Sequence, residues 1–365
     1  MTKEIIFHLG DYKTGSTSIQ RILAAQDFTI PGRRVLFTAR ENHMDLPRSL
    51  YPENRLFARQ KEIWETHAQA IRTSDADIAV ISAENMNHLD PAQMQAAVDR
   101  YFPDFSGRIR YVTYLRPHAD RIVSSFAERR KLGEFFGGMA KLHTEILDKQ
   151  RLFYTPRFTA WKAQFGPAFH IRPMVREHLF RGDVVHDFFR FMCGSEEFEI
   201  HGDTHRNESL SVAELLAVSE LQREIKRLGG KKIASRDVRH RIAGLLQEAL
   251  AVLPRKADLE KPRLHKALAA RIQDSYREDA AAMDAAFFEG SPFADALAGA
   301  KDKALDAPQS LRLGDYYNDD ALRMFLAIAA MLGATVNGQG TLAENQIADR
   351  LEKIRPQADP SQSGD

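Results

Sequence analysis

Five short apolar runs punctuate the first half of the chain: Glu4 to His8, Arg34 to Phe37, Asp77 to Ser82, Arg108 to Leu115 and Ala168 to Met174. They are rich in Ile, Val, Leu, Phe and Tyr, as buried strands are. Between them lie stretches such as "RLFARQKEIWETHAQAIRTS" and "HADRIVSSFAERRKLG", whose apolar residues recur at helical spacing. That alternation predicts βαβ units, and hence an α/β fold with a mostly parallel sheet flanked on both faces by helices. Ligands of such sheets bind at the carboxyl ends of the strands, which is where chemistry is to be sought.

Near residue 205 the pattern changes. "SVAELLAVSELQREIKRLGG", "VRHRIAGLLQEALAVL" and "LHKALAARIQDSYREDAAAMDAAFF" have helical period with no strand between them, and "DDALRMFLAIAAMLG" adds a further apolar helix near Asp319. Residues 1–205 are therefore read as the α/β core and 206–355 as a C-terminal helical extension, expected to pack on the core and to contribute to a substrate site. The polar, Pro-containing residues 356–365 are read as a disordered tail. No internal repeat is visible.

The charge balance limits the partners. Lys and Arg total 51 against 50 Asp and Glu in the 365 residues, so no global field draws the chain to nucleic acid or anionic lipid, and any anion must be held by a local site. No apolar run approaches the roughly 20 residues of a membrane span, and no leader pattern opens the sequence. With one cysteine, Cys193, and hence no internal disulfide, a cytoplasmic location is the expectation.

The first apolar run leads into "LGDYKTGSTS". Gly10 and Gly15 have the spacing of the two glycines of a Walker A loop, but the residue after the second is Ser16, and the lysine, Lys13, stands two places before it. Glycines let the backbone close around an anion. Ser16, Thr17 and Ser18 open the helix "STSIQRILAAQ", whose first N–H groups and dipole favour negative charge. A magnesium-nucleotide enzyme would also want an aspartate at the end of a neighbouring strand. "DIAVISAEN" ends instead on Ala83 and Glu84, and "RIRYVTYLR" on Arg116.

On these residues the chain resembles the sulfotransferases that use 3'-phosphoadenosine 5'-phosphosulfate (PAPS), the bacterial ones in particular. Their 5'-phosphosulfate loop, a lysine followed by a small residue, glycine and two hydroxyl residues after a strand, is matched by "YKTGSTS" from Lys13 to Ser18. Their second motif, an arginine at a strand end with a serine eight residues on, is matched in "YLRPHADRIVSSF" by Arg116 and Ser124. Helical periodicity alone leaves Ser124 and Ser125 equivalent. The resemblance covers residues 3 to 210 and implies a P-loop-like core. It also implies PAPS as donor without a required metal, Lys13, Thr14, Gly15, Ser16, Thr17 and Ser18 on the phosphosulfate, and Arg116 with Ser124 on the 3'-phosphate. The implied reaction is sulfuryl transfer to a hydroxyl or amine of a glycan or small molecule. A P-loop kinase and a non-catalytic binder of 3'-phosphoadenosine 5'-phosphate (PAP) are the alternatives.

The chemistry of the side chains agrees. A dianionic 3'-phosphate suits a forked guanidinium plus a hydroxyl, and a lysine inside the loop can sit against the oxygen that bridges sulfur to the departing phosphate. Glu84, a carboxylate at a strand's carboxyl end, is the first candidate for the base that takes the acceptor's proton. His8 and His118 are expected to be structural, and His201 and His205 to be loop residues. Trp64 and Trp161 are expected in the core. The basic segment "REIKRLGGKKIASRDVRHR" could hold an acidic acceptor, though a solvated charged helix is the simpler reading.

Overall fold

In a computed structural model, the structure describes residues 2–202, 209–228, 235–253 and 259–335. In chain order the strands are β1 (Glu4–Gly10), β2 (Phe28–Thr29), β3 (Val35–Phe37), β4 (Ile78–Glu84), β5 (Ile109–Leu115), β6 (Phe169–Pro173) and β7 (Glu199–Ile200). The helices are α1 (Ser16–Ala25), α2 (Asp45–Ser49), α3 (Gln60–Thr73), α4 (Pro91–Tyr101), α5 (His118–Lys131), α6 (Met139–Asp148) and α7 (Thr155–Phe165), followed by α8 (Val184–Cys193), α9 (Val212–Leu228), α10 (Arg236–Val252), α11 (Lys266–Phe287), α12 (Pro292–Gly299) and α13 (Asp319–Thr335). Among the described residues no helix is long and apolar enough to cross a membrane.

The chain forms two compact units that interleave along the sequence: Met1–Arg121, Thr144–Arg206 and Ala267–Lys303 make one, and Ile122–His143, Asn207–Lys266 and Ala304–Asp365 the other. The first holds a five-stranded sheet in the order β3-β4-β1-β5-β6, every neighbouring pair parallel. All five apolar runs read from the sequence are its strands. β1 is central, buried on both faces from Ile5 to Gly10, which is why its run is continuously apolar rather than alternating. The antiparallel pair β2 and β7, each of two residues, was not anticipated; a two-residue run carries no periodicity to read.

Helix α1 buries Ile19, Ile22 and Leu23 from one face against a cluster that includes Val184, Val185, Phe188 and Phe189 of α8. Helix α8 is anchored in turn by Asp187, whose buried carboxylate accepts from Tyr114 Oη at 2.7 Å, Arg172 Nη2 at 2.7 Å and the Phe180 N–H at 2.9 Å. A guanidinium and two neutral donors satisfy a charge that would otherwise be costly to bury. Residues of α11, well beyond the sheet in sequence, also belong to this unit. Asp279 accepts from His118 Nε2 at 2.9 Å and from the Tyr154 and Thr155 N–H groups at 2.9 and 3.0 Å.

In the second unit α9, α10 and α13 share a small core of Leu221, Ile225 and Ala329, lined by Ile242, Leu246 and Phe325. Arg239 is buried there and donates to the carbonyls of Leu132 and Gly133. The polar tail 356–365 and His205 lie outside the described residues.

Candidate functional site

The loop between β1 and α1 closes tightly because of its two glycines. A Cβ on Gly10 would stand 2.7 Å from Ser16 Oγ and 3.3 Å from the Glu84 Cα, so the strand end, the helix start and β4 converge on a residue without a side chain. Gly15 has φ +80° and caps α1 without any side-chain hydrogen bond. A Cβ there would lie 2.4 Å from Val184 Cγ1 of α8. Packing of α8 against α1 thus sets the loop's shape and leaves the helix N-terminus uncapped by side chains, its first N–H groups without intrahelical partners.

Within the loop the hydroxyl residues divide. Thr14 is fully buried and its Oγ1 donates to the Asp11 carbonyl at 2.8 Å, while Ser16 is 2% exposed with its Oγ buried and unpartnered above Gly10. Thr17 is exposed and Ser18 half-buried. Lys13 is exposed and holds φ +61°. A lysine in the left-handed region costs on the order of 1 kcal/mol, and such outliers persist where the surroundings impose them, often at functional sites.

Glu84 stands where its sequence position suggested. It ends β4 in register with Gly10, and the next residue, Asn85, donates its N–H to the Gly10 carbonyl at 2.9 Å. Asn85 is itself left-handed, φ +64°, and turns the chain into the short helical turn Met86–His88. Two strand ends and the loop therefore meet at one edge of the sheet.

Polar groups that sequence reading did not single out gather at the same edge. Asp11, 2% exposed, accepts from the Tyr12 N–H at 2.8 Å, and its Oδ1 lies 3.7 Å from Arg121 Nη2 and 3.8 Å from His88 Nε2. Burial alone would raise this carboxyl, but Arg121, the hydrogen bond with His88 and the charge of Arg157 outweigh it and hold it at about 2. Arg121 places its guanidinium over the Tyr12 ring, 5.3 Å from the centroid. Arg157, on α7, lies 4.5 Å over the Phe158 ring and touches the His88 imidazole, with Nη1 2.8 Å from Nδ1.

Arg116, just past β5, completes the group. Its Nε is buried without a hydrogen-bond partner, as are those of Arg121 and Arg157 and the Asp11 Oδ2. Among the described residues no carboxylate lies within ion-pair distance of Arg116 or Arg157, whereas Arg172, Arg110, Arg72 and the exposed Arg59 all pair with acids. Burial lowers the pKa of Arg116 and of Arg157, with Asp120 opposing it for the first and Asp11 for the second. A desolvated cation without an acid beside it is a site prepared for an anion.

The remaining sequence candidates sort as follows. Ser124 and Ser125 are both half-buried on α5, in the second unit, while Arg116 belongs to the first. His8 is fully buried, its Nδ1 2.8 Å from Ser82 Oγ, and burial holds its imidazole down at about 3. His118 is buried on Asp279 and stacked on Tyr276, ring centroids 4.8 Å apart. Both are structural, and so are Trp64 and Trp161, neither of which has an exposed surface. His201 Nε2 meets Thr29 Oγ1 at 2.7 Å beside the small β2–β7 ribbon. Within the basic segment, Arg223 and Arg227 pair with Glu220 and Glu224, and Arg236 and His240 share Glu134; residues 229–234 lie outside the described chain. Among the described residues no three His, Cys, Asp or Glu side chains gather as a metal-holding group.

No family model matches the sequence, and no curated protein matches it. One solved structure is similar, a sulfotransferase from Alicyclobacillus acidocaldarius: 14% identity over 80% of this chain and 99% of that one, with a TM-score of 0.47.

Proposed function

We propose that the chain is a sulfotransferase that moves a sulfuryl group from PAPS to a hydroxyl or amine of an acceptor. The observation that carries this reading is the pairing of an uncapped helix N-terminus behind a lysine-bearing glycine loop with a half-buried Arg116 whose Nε is buried without a partner and which, among the described residues, has no carboxylate within ion-pair distance. The first suits a 5'-phosphosulfate, the second a 3'-phosphate, and PAPS is a nucleotide that bears both.

The steps assign themselves by charge. The acceptor's O–H or N–H gives its proton to a base as its heteroatom bonds to sulfur; the bond from sulfur to the phosphate oxygen breaks, and PAP departs. Negative charge grows on that bridging oxygen. Lys13, carried inside the loop, supplies the compensating positive charge, aided by the first N–H groups of α1. Glu84, at the end of β4 opposite Gly10, is the base. Thr17 and Ser18 offer hydroxyls to the phosphosulfate; Thr14 and Ser16 shape the loop from within.

A thermal-shift titration with PAP, ADP and ATP tests the reading. Selective stabilisation by PAP is expected, since a ligand that binds only the folded state raises its stability by mass action. ATP with magnesium stabilising the chain while PAP does not would overturn it in favour of a kinase. Stabilisation by PAP without turnover of PAPS would leave a non-catalytic binder.

A further inference from the structure

Arg157 is placed and supported as an anion ligand, yet the donor groups assigned above do not use it. Three observations bear on what it does. Its guanidinium is clamped by aromatic faces, Phe158 at 4.5 Å and Tyr154 at 5.8 Å, both rings fully buried. Its contact across the sheet edge is a half-exposed imidazole, His88, which is 40% exposed and lies 6.2 Å from the exposed Tyr12 ring. Its Nε is buried with no partner, and among the described residues no carboxylate lies within ion-pair distance of it. Of the acids whose charge reaches it, Asp279 and Asp11, neither is within ion-pair distance, and Asp11 is outnumbered at this edge by Arg116, Arg121 and Arg157. Asp279 is filled by His118, Tyr154 and Thr155, and Asp11 Oδ1 is approached by Arg121 and His88.

A stacked guanidinium keeps its plane fixed and its edge available, the geometry that matches a carboxylate with two parallel hydrogen bonds. Beside it Tyr12, 43% exposed, presents an aromatic face at the start of the loop. On the proposed sulfuryl-transfer reading the donor's two anionic ends are taken by the α1 end of the loop and by Arg116. Arg157, His88 and Tyr12 are then the groups at this edge that the donor leaves for the acceptor. We propose that Arg157 and His88, with Tyr12, form a subsite for a carboxylate on the acceptor, so that the acceptor is an acidic molecule rather than a neutral one. This inference rests on the functional reading for the word acceptor, but the subsite itself is defined by these residues alone.

The test uses a pair of probes that differ only in charge. Glucuronate and glucuronamide are titrated calorimetrically into the full chain, with and without PAP. Glucuronate is expected to bind at least tenfold more tightly than the amide, and Arg157→Ala should reduce that ratio to about one while leaving PAP affinity unchanged. His88→Gln, which keeps a polar side chain at this exposed position beside Asp11, should reduce the ratio severalfold, and serves if Arg157→Ala proves unstable. Equal affinity for the two probes in the wild-type chain, or binding of neither, overturns the subsite. A fall in PAP affinity in Arg157→Ala comparable with the uronate loss also overturns it, by placing Arg157 on the donor. Failure of PAP to bind the wild-type chain is a separate result: it rejects the donor assignment, and the nucleotide-free titration still decides the subsite.

Discussion

Replacing Arg116 with Met keeps most of the side-chain stem and deletes the guanidinium, and the two consequences carry opposite signs. In the free protein the buried Nε has no hydrogen-bond partner, and no described carboxylate pairs with the group. An unsatisfied buried polar group costs on the order of 1 to 3 kcal/mol. Because the residue as a whole is half-buried rather than sealed off, the lower end applies, and Arg116→Met is expected to stabilise the free chain by about 1 kcal/mol. In the PAP complex the same guanidinium would make charge-assisted hydrogen bonds to a dianion, and losing them costs about 2 to 4 kcal/mol, roughly 30-fold to 1,000-fold in affinity. ADP, which lacks the 3'-phosphate, should bind both proteins nearly equally. Urea unfolding gives the first quantity and calorimetric titration of PAP and ADP the second. A variant that loses stability, or that loses PAP and ADP by the same factor, would show Arg116 to be part of the scaffold, and the assignment of the 3'-phosphate would fall with it.

Lys13 holds φ +61°, so Lys13→Gly should gain roughly 0.5 to 1 kcal/mol of stability while slowing hydrolysis of PAPS by about 100-fold or more, with PAP affinity changed less; a drop in PAPS affinity with an unchanged rate at saturation would make the lysine a donor clamp instead. Gly15→Ala meets Val184 Cγ1 at 2.4 Å in a left-handed backbone and should destabilise by about 2 to 4 kcal/mol, and Val184→Ala in the same chain should recover part of it; a neutral Gly15→Ala in urea unfolding would refute the packing account of the loop. The chain should be acid-labile well above the carboxylate range. Burial holds His8 at about 3, and burial with the neighbouring His67 holds His43 at about 3, against 6.5 when unfolded. The folded pKa values are depressed, so this contribution is complete above the unfolded value and is lost as pH falls from there toward the folded one, by roughly 1.4 kcal/mol per unit for each histidine, or about 4 kcal/mol together by pH 5. Unfolding free energies from pH 7 to 5 that stay level in the wild-type chain would contradict it.

The sheet was legible because its strands are buried on both faces and therefore apolar throughout, so five runs with helical sequence between them sufficed to read parallel βαβ units. The loop was legible too, since glycine spacing and a lysine are local features, and so was Arg116, because a strand end is visible in sequence. Arg157 was not. It lies on a helix whose text, "TPRFTAWKAQF", has nothing unusual in it, and it meets His88 only because the sheet order brings segments 69 residues apart to one edge. Asp11 carried a signal that could have been used, an acid inside an anion-binding loop, which demands a nearby cation to offset it. Trp64 and Trp161 were read correctly as core by helical spacing, while β2 and β7 were too short for any pattern.

Asp279 has a bearing on how the protein is made. Its carboxylate closes contacts to His118 and to the N–H groups of Tyr154 and Thr155, and it lies 125 residues after Tyr154 in the chain. A ribosome adding roughly 5 to 20 residues per second needs about 6 to 25 s to travel that distance. During that interval strands β1 to β5 and the anion loop can leave the ribosome well ahead of Asp279, with the start of α7 and the buried imidazole of His118 still lacking their acceptor. The nascent sheet unit is thus exposed, half-finished, to chaperones and proteases until α11 emerges, and a message interrupted anywhere before residue 279 yields a chain that displays the loop without the carboxylate that fixes the helices carrying Arg121 and Arg157 beside it.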